Sequence, residues 1–396
     1  MQQDQIVALY RGWANYEKSI REDGVYVIDF DLVQDVYADK VTSRWEVIEK
    51  LIEYSNALSN KDPVSSFLRD KLNGSIHYLQ AVMGENTPFE KYIFNSMGII
   101  PYLFSASKIE DISYEISDML SEWDISYKHN CLEEFYLKFR IENFIDFENI
   151  TTNQIDFWYS KMNKHMNLPA MPKVRFQFVN KNENWDTWIY GYSSEGICLD
   201  INMNPSMKYS FINSTPTLLA THELCGHALH MATIASEIHK GNIPPSCGLI
   251  LVHGSDMIQT EGLAHLLPEF FEDQIPIDNL TKVSRKFITH RNLILNNAYI
   301  YLSNGESIKE VYNYVVNNLP FYDGRYLELE LKQWNRDPSM KSYRFIQGFS
   351  EDFFRNICEN LSNDQKIAFV QEMYKVPMTY EQIKTYYHSL IKVLSS

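Results

Sequence analysis

The sequence lacks a long hydrophobic run and an excess of basic residues. The apolar stretch "MGIIPYLF", at 97–104, is too short to span a membrane. The 36 basic residues are outnumbered by 51 acidic ones, which gives a formal charge of −15. Such a charge argues against nonspecific binding to nucleic acid or to an anionic membrane, so we expect neither as a partner.

Paired cysteines are also lacking. The chain has five cysteines, an odd number, and none of them forms a CxxC pair: Cys131, Cys198, Cys225, Cys247 and Cys358. The first residues, "MQQDQIVALYRGW", contain no basic segment followed by an apolar one, the pattern of a secretion signal. Together these features exclude a disulfide framework and predict a cytoplasmic protein.

The chain of 396 residues is long enough for one large domain or two ordinary ones. Residues 1–170 show helical periodicity, as in "RWEVIEKLIEYSNAL" from Arg44, and we predict a helical scaffold or lid. The pattern changes in residues 171–396, where "VRFQFV" from Val174 and "GICLDINMN" from Gly196 predict strands. Because helices resume afterwards, we expect a mainly α fold with a small β-sheet.

The segment "THELCGHALH", at 221–230, contains a His-Glu pair and a second His. His222 and His227 are five residues apart, which places them about 140° apart on a regular α-helix. They can face one ion only if the helix widens locally, as in a π-bulge, and Gly226 would tolerate that distortion. The helix ends are marked by capping and stop signals: Ser214 or Thr215, Pro216 and Gly241.

A third ligand is predicted on the following helix. In "SDMIQTEGLAHLLPEFFED", Glu261 begins an apolar helical pattern. Two imidazoles and one carboxylate with an open position are typical of catalytic zinc sites. Glu223 would then be the general base. The alternative is that His222 and His227 are ordinary polar residues on opposite sides of a buried helix, with Glu223 facing solvent.

These residues resemble known metallopeptidases of the gluzincin type. "HELCGH" is similar to the H-E-L-L-G-H zinc helix of dipeptidyl peptidase III, which has the same spacing. The downstream motifs resemble an uncharacterised bacterial family related to carboxypeptidase Taq and thimet oligopeptidase. That family carries H-E-x-x-P-G-H, E-G-W-A and P-G-x-A-x-S-Y-x-x-G. The counterparts here are "HELCGH", "EGLA" at 261–264 and "DPSMKSYRFIQG" at 337–348.

The resemblance covers residues 170–396, and it has departures. The second family spaces its His pair by six residues, this chain by five, and Leu263 stands where that family has Trp. The resemblance implies a zincin-like helical fold with a cleft and one Zn²⁺ ion. It implies His222, His227 and Glu261 as metal ligands, Glu223 as the base and Tyr343 as the phenol that stabilises the oxyanion. The alternative for Tyr343 is a core position.

Further residues are candidates for weaker reasons. Arg325 and Arg344 could bind a substrate carboxylate, because guanidinium suits that group. Tyr192 could line the cleft. Asp256 could orient a His ligand through its free ring N–H. His265, four residues after Glu261, could share the face of that residue and approach the metal, but we predict that it lies behind the metal ligands or at the surface.

We therefore expect a zinc-dependent hydrolase that cleaves an amide bond in a peptide or a peptide-like small molecule. An extended substrate would pair with the strand at 198–202 as an added strand. Two alternatives remain open: a metal-dependent tailoring enzyme acting on a small metabolite, and a non-catalytic descendant whose helix is structural. The sequence does not decide the oligomeric state.

Overall fold

The computed structural model describes residues 2–21, 27–59, 62–142, 144, 146–182, 185–193, 195–204, 211–321, 324–334 and 337–392. The predicted mainly α fold with small sheets is confirmed. None of the helices among the described residues combines the length and apolar character that a membrane crossing requires.

The first 170 residues are helical, as predicted, apart from one short strand, β1 (Ile28–Asp31). The helices are α1 (Gln2–Ile20), α2 (Arg44–Ala57), α3 (Pro63–Val82), α4 (Phe89–Met97), α5 (Ala106–Ser121), α6 (Cys131–Phe139) and α7 (Phe147–Met166). Polar N-cap side chains mark the starts of α2, α3 and α5. Ser43 accepts a hydrogen bond from the backbone N–H of Glu46 at the start of α2, and Asp62 accepts one from Ser65 at the start of α3.

Both predicted strands are present, in a three-stranded sheet of β2 (Val174–Val179), β3 (Thr187–Ser193) and β4 (Gly196–Asn202). The strand order is β2–β4–β3, with β4 parallel to β2 and antiparallel to β3. The prediction that β4 accepts an extended substrate is wrong, because both of its edges are already hydrogen-bonded to neighbouring strands.

Helices resume after β4. The elements are α8 (Thr215–Leu219), a π-helix (Ala220–Leu229), α9 (His230–His239), β5 (Leu249–Leu251), α10 (Met257–Phe270), α11 (Asn279–Ser303), α12 (Ile308–Asn318), α13 (Gly324–Trp334), α14 (Pro338–Glu359), α15 (Asn363–Lys375) and α16 (Tyr380–Lys392). The predicted helix ends are confirmed: Ser214 is the N-cap, and Gly241, with φ of 76°, follows the last helical turn.

One apolar core runs through the chain, and it includes Trp13, Trp158 and Trp334 from widely separated helices. Within it the π-helix packs against α7 and α10, and α10 packs against α14. The N-terminal helices thus share the core with the later ones. The predicted division at residue 170 and the predicted cleft stay predictions.

Candidate metal centre

The helix carrying the His pair is widened, as the spacing predicted. Residues 220–229 form a π-helix, in which residues five apart are one turn apart. The ring centroids of His222 and His227 are 4.8 Å apart. The two imidazoles therefore share one side of the helix, and the alternative that placed them on opposite sides is wrong.

Gly226 has a different role from the one predicted. Its φ is not positive, so it needs no glycine for its backbone conformation. A Cβ at this position would lie 2.7 Å from the Cα and 2.8 Å from the Cβ of Ala264 on α10. Glycine is required here because the π-helix and α10 touch backbone to backbone, which brings their ligand-bearing faces together.

The helix α10 supplies a carboxylate and a third imidazole. Glu261 and His265 are four residues apart, so they lie on one face of the helix. The His265 Nε2 is 3.7 Å from Glu261 Oε2. The ring of His265 lies 4.7 Å from that of His222, measured between centroids. The face of α10 that carries Glu261 is therefore turned toward the π-helix.

These side chains form two overlapping groups of candidate metal ligands. His222, Glu223 and His227 form one, and His222, Glu261 and His265 form the other. Within each group the ligand atoms lie within 4.8 Å of one another. All three predicted ligands belong to these groups, although His227 and Glu261 do not share one. His265 joins them, which agrees with the alternative that it approaches the metal on the face of Glu261.

The three imidazoles are held neutral. Desolvation lowers the pKa of His222 and His227 well below the usual value, and it lowers that of His265 to about 3. A metal needs a neutral imidazole with a free lone pair. Among the buried ring nitrogens, His227 Nδ1 and His265 Nε2 have no hydrogen-bond partner. Unsatisfied buried acceptors cost free energy, so this donor set fits a cation.

The two carboxyls also fit a cation. Desolvation raises the pKa of Glu223 to about 8, with smaller contributions from the charges of Asp186 and Asp29. Desolvation and then the Glu223 charge raise the pKa of Glu261 to about 8. Burial and like charge therefore disfavour the ionised form of both carboxyls. A divalent ion between them would stabilise their ionised forms.

Tyr343 is brought to the site by α14. It is half-buried, and the largest cause of its raised pKa is the Glu261 carboxyl, which shows that the phenol lies near that carboxyl. Arg344 also lies close enough to lower the pKa of Glu261, and its guanidinium is 3.9 Å from Glu330. The side chain of Arg325 lies outside the described residues.

Asp256 does not orient a His ligand, and that prediction is wrong. Its carboxylate pairs with the buried Lys71 at 3.0 Å. At about 100° per residue it lies about 140° around α10 from Glu261, so it faces away from the metal ligands.

Tyr192 lies half-buried on β3, packed against the core. The described contacts do not link it to the ligand groups, and its role in substrate binding stays a prediction.

Sequence reasoning missed Asp29. The pairing of β1 with β5 is irregular between Ile28 and Phe30, so Asp29 lies at a β-bulge, a feature that redirects side chains. Its charge raises the pKa of both Glu223 and Glu261, which places it near the site. No local pattern marks this residue. Only the pairing of β1 with β5, the strand that precedes α10, brings it there.

Comparisons with known proteins support the fold alone. No protein-family model matches the chain, and no curated protein is significantly similar to it. The fold is similar to the solved structure of the putative lipoprotein from Colwellia psychrerythraea, with a TM-score of 0.57 and 12% identity. That match covers 88% of this chain and 59% of the other. The resemblance to zincin peptidases stays a prediction.

Proposed function

We propose that the chain is a metal-dependent hydrolase, with one Zn²⁺ ion, that cleaves an amide bond in a peptide or a peptide-like small molecule. The observation that carries the proposal is the convergence of two helices on one cluster of neutral imidazoles and carboxyls. The π-helix is central to it, because the widening is what allows His222 and His227 to face the same ion.

His222, His227 and Glu261 would hold the ion. When bound, zinc supplies a Lewis acid that polarises a carbonyl and acidifies water. Glu223, in the same group as His222 and His227, accepts the proton of the attacking water and passes it to the leaving nitrogen. Tyr343 donates a hydrogen bond to the carbonyl oxygen as negative charge develops there. Arg344, which lies near the Glu261 carboxyl, can bind an acidic group of the substrate.

One observation removes the binding mode that was predicted for an extended peptide. The strand β4 has partners on both edges and offers no edge to an extended chain. A metal-dependent tailoring enzyme that acts on a small metabolite is therefore the second candidate. In either case the five cysteines are unpaired, which supports the proposed cytoplasmic location.

Metal analysis and a matched pair of variants test the proposal. We expect about one ion per chain in purified protein or after reconstitution. Glu223→Gln should keep the metal and lose at least about 100-fold in hydrolysis of a peptide and amide library. Glu237→Gln, on α9 and outside both ligand groups, is the control and should stay active.

Two results would count against it, and a third would decide between the two candidates. A chain that binds no ion after reconstitution would support the non-catalytic alternative. Undiminished hydrolysis by Glu223→Gln would remove the assigned base. Cleavage of small amides without cleavage of any peptide would select the tailoring enzyme.

A further inference from the structure

We propose that Arg291 binds a carboxylate of the substrate, so that the enzyme acts on peptides or amides that carry a free carboxylate close to the scissile bond. This inference rests on the proposed function, because it names the substrate class of the same site. Its own support is a guanidinium near the candidate ligands that has no carboxylate partner among the described residues.

The arginines around the candidate ligands differ in their partners. Burial is the largest cause of the lowered pKa of His265, and three arginine charges lower it further: Arg285, Arg291 and Arg355. Arg285 pairs with Glu269 at 2.6 Å, and Arg355 pairs with Glu351 at 3.1 Å. Within the part of the chain that the structure describes, Arg291 forms no such ion pair.

The guanidinium of Arg291 is also partly withdrawn from water. The side chain is half-buried, and its Nε is buried without a hydrogen-bond partner. The hydrogen bond that Arg291 does make, from Nη2 to Asn292 Oδ1, is long, at 3.5 Å. A charge that leaves water without a counter-ion costs free energy of folding. An anion that enters the site would supply the missing partner.

The position of Arg291 on α11 directs it toward the site. Ser284, Phe287 and Arg291 follow one another at intervals of three and four residues, so they share one face of the helix. On this face Ser284 hydrogen-bonds Ser214, the N-cap of α8, at 2.9 Å. The Phe287 ring packs on Phe135 of α6, with 5.6 Å between centroids. Arg291 therefore lies on the side of α11 that faces α6 and the helix leading into the π-helix.

Charged neighbours connect this side of α11 with the candidate base. Burial, as the largest cause, raises the pKa of Tyr136 on α6 to about 12; the Asp186 charge adds to this shift and the Arg291 charge opposes it. After desolvation, Asp186 is also the next cause of the raised pKa of Glu223. Arg291 and Glu223 thus have a common neighbourhood, and a carboxylate bound at Arg291 would lie near the reacting groups.

The chemistry of the side chain selects the kind of anion. Guanidinium presents planar donors that match a carboxylate in two parallel hydrogen bonds, and carboxylates are the anions that peptides carry. Arg344, the other arginine considered for an acidic group, already has Glu330 at 3.9 Å. The substrate class is then an acidic peptide or amide, such as an N-acyl amino acid, in place of an unrestricted amide.

Hydrolysis of matched substrates tests this inference. The two members of a pair differ only in whether one carboxylate is free or capped as a carboxamide, and the zinc-loaded full chain is compared with Arg291→Met. We expect kcat/KM for the free carboxylate to fall about 10–100-fold, mainly through KM, because charge-assisted hydrogen bonds are lost. The capped substrate should change less than about threefold.

Two further variants serve as controls. Arg291→Lys keeps the charge without the planar donors, and it should restore part of the preference for the free carboxylate. Arg69→Met removes a half-buried arginine on α3 whose guanidinium donates to the Leu58 and Ser59 carbonyls. It should keep the wild-type preference.

Two measurements do not depend on hydrolysis. In urea denaturation, Arg291→Met should have a midpoint no lower than the wild type, because it removes a charge without an internal partner. Arg285→Met, which breaks the pair with Glu269, should have a lower midpoint. Calorimetry in the zinc-loaded Glu223→Gln background should show tighter binding of N-acetylglycine than of its carboxamide. Adding Arg291→Met should reduce that difference by about 10-fold or more.

The outcomes separate this inference from the hydrolase proposal. A preference for the free carboxylate that persists in Arg291→Met would overturn the inference and leave the hydrolase intact. A denaturation midpoint that falls as far as that of Arg285→Met would assign Arg291 a structural role and would also overturn it. If no substrate is cleaved, the hydrolase proposal fails and calorimetry decides. Carboxylate binding that depends on Arg291 would then keep the inference, and its absence would overturn it.

Discussion

The π-helix presents three side chains of the candidate site and α10 presents two, and the two helices bring theirs together by different backbone geometry. Residues five apart converge on the π-helix, whereas residues four apart converge on α10. The two are also held in place differently. Asp256 and Gln259 anchor the start of α10 by polar contacts to other elements, whereas the π-helix is held by close packing and one phenol.

Both helices are closely packed, but the start of α10 has a buried ion pair in addition. Lys71 reaches from α3 to Asp256 and to the Leu249 carbonyl of β5. On the π-helix, Gly226 lies against Ala264, and the Tyr374 hydroxyl donates to the Cys225 carbonyl at 2.7 Å. Substitutions at these contacts should therefore lower the free energy of unfolding for different reasons: loss of an ion pair at Lys71, and loss of packing or of a hydrogen bond at the π-helix.

The largest effect should come from Lys71→Met. It leaves the Asp256 carboxylate buried without its partner, which typically costs about 3–5 kcal/mol in the free energy of unfolding. Urea denaturation measures this. Lys50→Met removes a partly exposed ion pair and should cost less than about 1 kcal/mol. Equal losses for the two lysines would show that charge does not anchor α10.

The second effect concerns packing. Gly226→Ala places a Cβ against the backbone of Ala264 and should cost about 3 kcal/mol in unfolding free energy. The double variant with Ala264→Gly should recover only part of this, because the contact with the Cα at 264 remains. Denaturation curves of both variants provide the measurement. Full stability of Gly226→Ala would refute the assignment of close packing to the π-helix.

The third effect is a pH dependence of the free energy of unfolding, caused by His253 just before the start of α10. His253 hydrogen-bonds Ser75, and desolvation followed by the Lys71 charge lowers its pKa to about 3. The unfolded chain takes up this proton near pH 6.5 and the folded chain does not, so stability falls as pH falls from about 6.5 towards 3. The loss from this group between pH 7 and 5 should be about 2 kcal/mol.

Comparing wild type with His253→Phe isolates this contribution. The variant keeps a ring over Tyr78, on which His253 stacks at 4.2 Å between centroids. It should be less stable at pH 7 but show a shallower loss on acidification, measured by urea denaturation at each pH. If the free energy of unfolding fell with pH as steeply in the variant as in the wild type, the pKa of His253 in the fold would not be lowered.

The smallest effect should come from Tyr374→Phe, which removes the hydroxyl that bonds the Cys225 carbonyl. The expected loss in unfolding free energy is about 1 kcal/mol. Tyr386→Phe is the matched control. It removes a longer hydrogen bond, from the Tyr386 hydroxyl on α16 to the Ala368 carbonyl at 3.3 Å, and should cost less. A larger loss for Tyr386→Phe than for Tyr374→Phe would contradict the role of the phenol in holding the π-helix.

Much of the local structure followed from patterns in the sequence. The alternation from Val174 predicted β2, the apolar run from Gly196 predicted β4, and the five-residue spacing of His222 and His227 predicted the widened helix. These succeeded because a strand or a helical turn depends on residues close together in the chain. The predictions that failed concern which elements of the fold contact one another. Knowing that β4 is the central strand, with no edge free for a substrate, required the order of the strands, and the pattern within one strand does not contain that order.

By itself, the sequence determined the types of side chain in the candidate site and the irregular helix that carries one pair of them. Hydrogen bonding along a helix is local, so the spacing predicted the widening once both imidazoles were assigned to one ion. Only the tertiary structure decided that Asp256 binds Lys71, that Asp29 approaches from β1, and that His265 stands among the candidate ligands. Those contacts join elements far apart in sequence, and packing of the whole core selects which of them meet.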